Sequence, residues 1–94
     1  DCYAGAFTAW ALKGNAPPVI DGLSADQRLF LAYAQNWRAK IREGALRAAI
    51  NTDVHAPARF RAASVRNLDP WYAAFDVRPA AKEYLAPDER VRIW

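Results

Sequence analysis

The residues best suited to chemistry lie in segment 52–61, which holds the only histidine of the chain, His55, and places Arg61 six residues after it. A histidine ring can donate a hydrogen bond to an oxygen that gains negative charge during a reaction. An arginine presents a planar fork of N–H groups to a carbonyl or carboxylate. Both suit the hydrolysis of a peptide bond. The spacing alone equally allows a capping or surface histidine and an arginine that forms a salt bridge.

Other catalytic arrangements find little support in the sequence. A catalytic zinc ion takes three protein ligands. This chain has one histidine and one cysteine, His55 and Cys2, with no HExxH pattern, so we expect it to bind no metal alone. A serine triad with His55 and Asp53 would have to use Ser24 or Ser64. Neither serine stands in the glycine pattern of a nucleophile elbow, and no glycine-rich phosphate loop is present.

Length and composition indicate a part of something larger. Of the 94 residues, 53% are hydrophobic and four are tryptophan. A chain this short buries only about two thirds, or less, of the surface that its unfolded form exposes. The apolar content therefore predicts either a very dense small core or a piece whose apolar faces pack against a partner domain. We favour the second interpretation, under which the isolated chain would tend to self-associate.

The charge pattern is that of a mildly basic, solvated surface. The net charge is +3, and the 13 lysines and arginines include no two that are adjacent, so we expect no nucleic-acid partner. A single cysteine cannot form an intramolecular disulfide. No apolar window of about 18 residues predicts a membrane-spanning helix, and no signal-peptide pattern is visible. These features leave the compartment open.

Apolar spacing predicts a mainly α fold of about three to five helices. Tyr3, Phe7 and Trp10 recur at helical intervals and predict a helix over residues 3–13. Two adjacent prolines follow it. Because proline fixes φ and disfavours helix in the residue before it, we expect an extended loop over residues 16–23.

A second helical region begins at Ser24, where Gln27 completes a capping-box pattern. Its apolar stripe comprises Phe30, Tyr33, Ala34, Trp37 and Ile41. The helical pattern continues to about Asn51, with Gly44 as the expected break. The sequence therefore predicts either one long kinked helix or two helices in succession.

The regular pattern lapses over residues 52–67, where we expect an extended loop around the histidine and a short extended segment over residues 60–65. Asp69 then offers an N-cap, and Pro70 suits the first helical position because its missing N–H is not needed there. We expect this last helix to end at Arg78, before a proline.

Five segments occur in an order similar to that at the end of one family of peptidases. They are AFTAW at 6–10, DGLSADQRLFLAYAQNWR at 21–38, TDVHAP at 52–57 followed by Phe60 and Arg61, Asn67 with WYAAF at 71–75, and RVRIW at 90–94. With this order the chain resembles the C-terminal part of zinc metallopeptidases of the neprilysin and endothelin-converting-enzyme family. The similarity runs through nearly all 94 residues, which makes it more specific than any single motif.

The resemblance implies that residues 1–94 are the C-terminal part of a thermolysin-like catalytic domain whose zinc ligands precede residue 1. It puts His55 on the family's transition-state-stabilising histidine and Arg61 on its substrate-binding arginine, with Asp53 orienting the loop. It also implies zinc as the cofactor of the full-length enzyme, peptides as substrates, and the preceding part of the same domain as partner. The isolated chain is then expected to be inactive.

Two departures from the family pattern concern cysteine. Val91 stands where extracellular animal members have a cysteine near the C-terminus, and Cys2 has no clear counterpart. The missing cysteine favours a bacterial-type member, and the resemblance implies a periplasmic, secreted or membrane-anchored location outside the cytoplasm. Two other classes stay open: a non-enzymatic helical module whose tryptophan-rich faces bind a partner, and a basic nucleic-acid-binding protein.

Overall fold

A computed structural model describes residues 17–92 of the chain. Within this range the chain is mainly helical and has no β-strand, as the apolar spacing predicted. The helix predicted over residues 3–13 lies outside the described residues. The elements are α1 (Ala25–Asn36), α2 (Glu43–Thr52), α3 (Ala58–Ala63) with a 3₁₀ turn after it (Ser64–Asn67), α4 (Asp69–Phe75) and a last 3₁₀ turn (Pro87–Glu89).

The start of α1 is the capping box that the sequence predicted. The Gln27 N–H donates to Ser24 Oγ at 3.2 Å, and the Ser24 N–H donates to Gln27 Oε1 at 2.9 Å. These bonds satisfy backbone donors that the first turn of a helix leaves free. Just before it, Asp21 and Gly22 form a tight turn with φ of 52° and 72°. Glycine suits the second of these positions because it has no Cβ.

The predicted alternative of one helix or two is resolved as two helices, and the expected break at Gly44 was wrong. α1 ends at Asn36, and Trp37 is its C-cap. The irregular link spans residues 37–42, so Gly44 lies inside the first turn of α2. Trp37 leaves the helical path with φ of −100° and ψ of 7°, and its ring lies beside the Arg61 guanidinium.

The short extended segment expected over residues 60–65 was also wrong, because α3 occupies most of it. The Pro57 carbonyl accepts from the N–H groups of Phe60 and Arg61 at 2.9 and 3.2 Å, which closes the first turn. Phe60 is 65% exposed, so this apolar side chain does not face the interior of the described residues. The residue before Pro57 is non-helical, as predicted.

α4 begins one residue before the predicted first helical position, Pro70, and Asp69 is not its cap. Leu68 is the N-cap without a side-chain hydrogen bond, and the Asp69 carboxylate is bound by two arginines from the end of the chain. A long-range ion pair has therefore replaced the local cap. The helix ends at Phe75, three residues before Arg78, because Asp76 adopts the left-handed conformation with φ of 47°.

The interior of the described residues lies between α1 and α4. Phe30 and Tyr72 are its buried hydrophobic residues, at 6% and 9% exposure. The Gln27 side-chain amide ties the two helices together by donating to the Ala74 carbonyl at 2.8 Å. Several large apolar side chains, Phe60 among them, stay exposed. The alternative of a very dense small core is therefore wrong for residues 17–92, and the apolar faces fit a piece of a larger domain.

Candidate active site around His55 and Arg61

His55 lies in the five-residue loop, residues 53–57, that joins α2 to α3. At one end, Asp53 closes α2 by donating its N–H to the Ala49 carbonyl at 2.8 Å. At the other end, Pro57 is the N-cap of α3. The loop is therefore short and held by a helix terminus on each side, which limits how far His55 can move.

A single carboxylate oxygen organises this loop. Asp53 Oδ1 accepts a hydrogen bond from the His55 backbone N–H at 2.8 Å and another from His55 Nδ1, also at 2.8 Å. The first bond makes an Asx turn. Because an ionised carboxylate only accepts hydrogen bonds, the second bond requires the proton of the ring to be on Nδ1. Nε2 is left for other partners, and the His55 side chain is 65% exposed.

The same two hydrogen bonds keep Asp53 charged. The His55 backbone N–H, and after it the His55 ring N–H, hold the pKa of the Asp53 carboxyl below its ordinary value of 3.8. The positive charge of Arg61 adds a smaller effect in the same direction. Within residues 17–92 the Asp53 carboxylate forms no ion pair with an arginine or a lysine, so His55 is its main partner.

Arg61 lies in the last turn of α3 and is held by two aromatic residues of the α1 end. Its guanidinium carbon lies 3.9 Å from the centroid of the Trp37 indole. Its backbone carbonyl accepts a hydrogen bond from the Tyr33 hydroxyl at 3.0 Å. The sequence predicted Tyr33 and Trp37 as members of an apolar stripe, but it did not predict these contacts with Arg61. Their spacing of four residues, which puts two aromatic rings on one helix face, was the available signal.

The described residues do not fit a zinc site. Among residues 17–92, no three histidine, cysteine, aspartate or glutamate side chains lie close enough together to hold a metal ion. A catalytic zinc needs such a set of three.

Over the same part of the chain, no helix is long and apolar enough to cross a membrane.

Comparison with known proteins identifies the family to which this chain belongs. Residues 3–91 match the sequence profile described as Peptidase family M13. The chain belongs to peptidase family M13. The family match covers both Asp53–His55 and Arg61, together with the helices that hold them.

The family M13 chain is similar to bacterial and animal relatives. It is 40% identical over 67 residues to a neutral endopeptidase of Lactobacillus helveticus, which covers 70% of this chain and 10% of that protein. It is 32% identical over 92 residues to human membrane metallo-endopeptidase-like 1, covering 95% of this chain and 12% of that protein. The chain thus spans about a tenth of the length of the relatives it matches.

A solved structure supports the same relationship for the fold. The crystal structure of the Mycobacterium tuberculosis zinc metalloprotease ZMP1 in complex with an inhibitor matches with a TM-score of 0.84 and 44% identity. The match covers 93% of this M13 chain and 13% of ZMP1. The helical arrangement described above therefore occurs as one part of a much larger protein.

Proposed function

We propose that the full-length protein is a zinc-dependent endopeptidase and that this chain supplies two groups that act on the peptide, His55 and Arg61. The observation that carries the proposal is the pair of hydrogen bonds from His55 to Asp53, both 2.8 Å long. An exposed histidine with a fixed ring, rather than a freely rotating one, is what transition-state stabilisation requires. Membership of family M13 supports peptide hydrolysis as the reaction.

His55 acts through Nε2. With the Nδ1 proton donated to Asp53, Nε2 can donate a hydrogen bond only when the ring carries both protons. The N–H of Nε2 then donates to the carbonyl oxygen of the scissile bond as this oxygen gains negative charge. The donor stabilises the transition state more than the neutral substrate, so it acts mainly on kcat.

Arg61 acts on the substrate backbone. Its planar fork can donate to a backbone carbonyl oxygen, or form two parallel hydrogen bonds with a carboxylate, and such an interaction exists before and during the reaction. It therefore contributes to binding of the substrate as well as of the transition state. Meanwhile the Tyr33 hydroxyl holds the Arg61 main chain and the Trp37 ring holds its guanidinium.

The remaining parts of the active site belong to the preceding part of the same catalytic domain. We propose that this part holds the zinc ion and covers the apolar side chains that α2, α3 and their loop leave exposed, such as Ile50, Val54 and Phe60. In its absence the same surface would favour self-association of the chain. The isolated chain is then inactive, because it has only the groups that hold the peptide.

We also propose a location outside the cytoplasm. The support is the relationship to proteins named as a membrane metallo-endopeptidase-like protein and as neprilysin, at 32% and 29% identity. Fractionation of cells that express the full-length protein tests this: recovery in the cytoplasmic fraction alone contradicts it.

The proposed reaction is tested with the purified full-length protein and a fluorogenic peptide. We expect cleavage inside the peptide, loss of cleavage on chelation of zinc, and recovery when zinc is added back. Cleavage that continues unchanged in a metal-free preparation, or no cleavage of any peptide in a diverse library, would overturn the proposal.

A further inference from the structure

We propose that Tyr33 and Trp37 are positioning residues for Arg61: they fix its backbone and its side chain so that every edge N–H of the guanidinium stays available to a peptide substrate. The inference rests on the proposed substrate-binding function of Arg61. It goes further by assigning a function to two aromatic residues that the sequence indicated only as part of a helix stripe.

The Arg61 guanidinium is held through its flat face and not through its edge N–H groups. Its guanidinium carbon lies 3.9 Å from the Trp37 ring centroid, well inside the roughly 6 Å range of a cation–π contact. A salt bridge would hold an arginine through its edge N–H groups and occupy them. Stacking on an indole restricts the guanidinium plane and leaves all the donors of the edge free.

Three other arginines show the contrast. Arg66, Arg78 and Arg90 donate edge N–H groups to carbonyl or carboxylate oxygens of the protein. Among residues 17–92, the Arg61 side chain forms neither a salt bridge nor a hydrogen bond to another residue. Arg61 is nevertheless half-buried rather than free in solvent. A restrained arginine with unused donors is arranged for a ligand rather than for an internal ion pair.

The backbone of Arg61 is anchored by two hydroxyl groups. Its carbonyl accepts from Tyr33 at 3.0 Å and from Ser64 at 2.7 Å, and the two hydroxyl oxygens are themselves 3.0 Å apart. Tyr33 lies one helical turn before Trp37, and their rings meet edge to face with centroids 6.2 Å apart. The end of α1 therefore restrains Arg61 at both its main chain and its side chain.

The ring face of Trp37, and not its N–H, performs this function. The Trp37 Nε1 atom is buried and has no hydrogen-bond partner in the part of the chain that the structure describes. Trp37→Phe keeps an aromatic face under the guanidinium, whereas Trp37→Leu removes it and keeps an apolar side chain. The positioning function predicts that phenylalanine rescues a large part of what leucine loses.

The test is a double-mutant cycle in the full-length enzyme, with kcat and KM measured on one peptide substrate. We expect Trp37→Leu to lower kcat/KM about threefold to tenfold, the range of a partly buried cation–π contact. Tyr33→Phe, which removes only the hydroxyl, should lower it by a smaller factor. In an Arg61→Ala background, each of these substitutions should have almost no further effect, because the residue through which it acts is gone.

The matched control is Trp71→Leu, because Trp71 packs against Tyr72 with centroids 4.9 Å apart and does not stack on Arg61. Its effect on kcat/KM should be the same in the otherwise wild-type enzyme and in the Arg61→Ala background. Tyr33→Phe and Trp37→Phe change few atoms, so they keep the test valid if Trp37→Leu fails to fold.

Three results would count against one or the other of the two claims. If Arg61→Ala leaves kcat/KM unchanged, the substrate-binding function of Arg61 itself is wrong. If Arg61→Ala lowers kcat/KM and the losses from Trp37→Leu or Tyr33→Phe are fully additive with it, Arg61 retains its function and the positioning function is wrong. Equal losses for Trp37→Phe and Trp37→Leu would likewise contradict the function of the aromatic face.

Discussion

Oδ1 of Asp53 lies 2.8 Å from both the backbone nitrogen and the Nδ1 atom of His55, so one oxygen fixes the main chain and the ring of the same residue. A separation of two residues is what allows this, since it brings the carboxylate back over the N–H of an Asx turn. The arrangement sets the direction of His55 Nε2, and this atom forms no hydrogen bond to Asp53. Asp53 is therefore expected to act on the reaction only through His55.

Replacing Asp53 with asparagine tests that dependence. Asn keeps an oxygen for the backbone N–H but loses the charge, and a hydrogen bond to a charged group is worth about 1 kcal/mol more than a neutral one. We expect kcat of the full-length enzyme to fall about fivefold to tenfold, with KM little changed. In a His55→Ala background the substitution should have no further effect. Additive losses in the double variant would show that Asp53 acts on its own.

The end of the chain should lose stability in acid. Arg92, and after it Arg90, donate hydrogen bonds to Asp69 and hold the pKa of its carboxyl below the ordinary value of 3.8. A lowered folded pKa means that ionised Asp69 contributes its full stability above pH 3.8 and that this contribution is lost as the pH falls through the folded pKa. Hydrogen exchange of residues 85–92 in the full-length protein measures the loss.

Asp69→Asn should weaken protection of that segment already at neutral pH and remove its acid dependence. The matched control is Asp76→Asn. Asp76 also pairs with an arginine, Arg78, but both side chains are more than three-quarters exposed, and such pairs contribute little. Acid loosening that is identical in the wild type and in Asp69→Asn would contradict the assignment.

Gln27 is expected to stabilise the protein in two separable ways. It completes the cap of α1 with Oε1 and binds the Ala74 carbonyl of α4 with Nε2. Gln27→Ala removes both contacts and should lower the free energy of unfolding by about 1–3 kcal/mol. Gln27→Glu keeps the cap acceptor and removes the donor, so thermal or urea unfolding should place it between the wild type and Gln27→Ala. A Glu variant as unstable as the Ala variant would assign the whole effect to the contact with α4.

The parts of the fold that the sequence predicted are those set by local rules. The capping box at Ser24 and the non-helical residue before Pro57 depend on neighbours within three positions, and both are confirmed. The errors come from contacts distant in sequence. Asp69 has the residue type of an N-cap, but arginines 21 and 23 positions later bind its carboxylate. The segment predicted as extended, residues 60–65, lies mostly in α3.

The candidate site likewise has one part set by near neighbours in sequence and one part set by distant contacts. His55 and Arg61 were named from a motif, and the hydrogen bond between His55 and Asp53 is close enough in sequence to be anticipated. The packing of Arg61 on Trp37 joins residues 24 positions apart, across the break between α1 and α2. Helical periodicity gives the face on which Trp37 lies but not the direction that the chain takes after the helix ends.

The isolated chain provides a separate test of the proposed division of the active site. A preparation of residues 1–94 should retain no zinc after gel filtration and should not cleave a peptide that the full-length enzyme cleaves. The physical reason is that residues 17–92 bring no three metal-binding side chains together. Zinc-dependent cleavage by this preparation would contradict the proposal, provided that mass spectrometry excludes contaminating peptidases.

The kinetics of His55→Ala in the full-length enzyme test the central claim most directly. A donor that acts on the transition state should, when removed, lower kcat by about 10²–10³-fold and change KM by no more than about twofold. Zinc content and thermal stability should match those of the wild type, since His55 is exposed and its ring is bound by Asp53 alone among the described residues. An unchanged kcat in a folded, zinc-loaded His55→Ala enzyme would contradict the account.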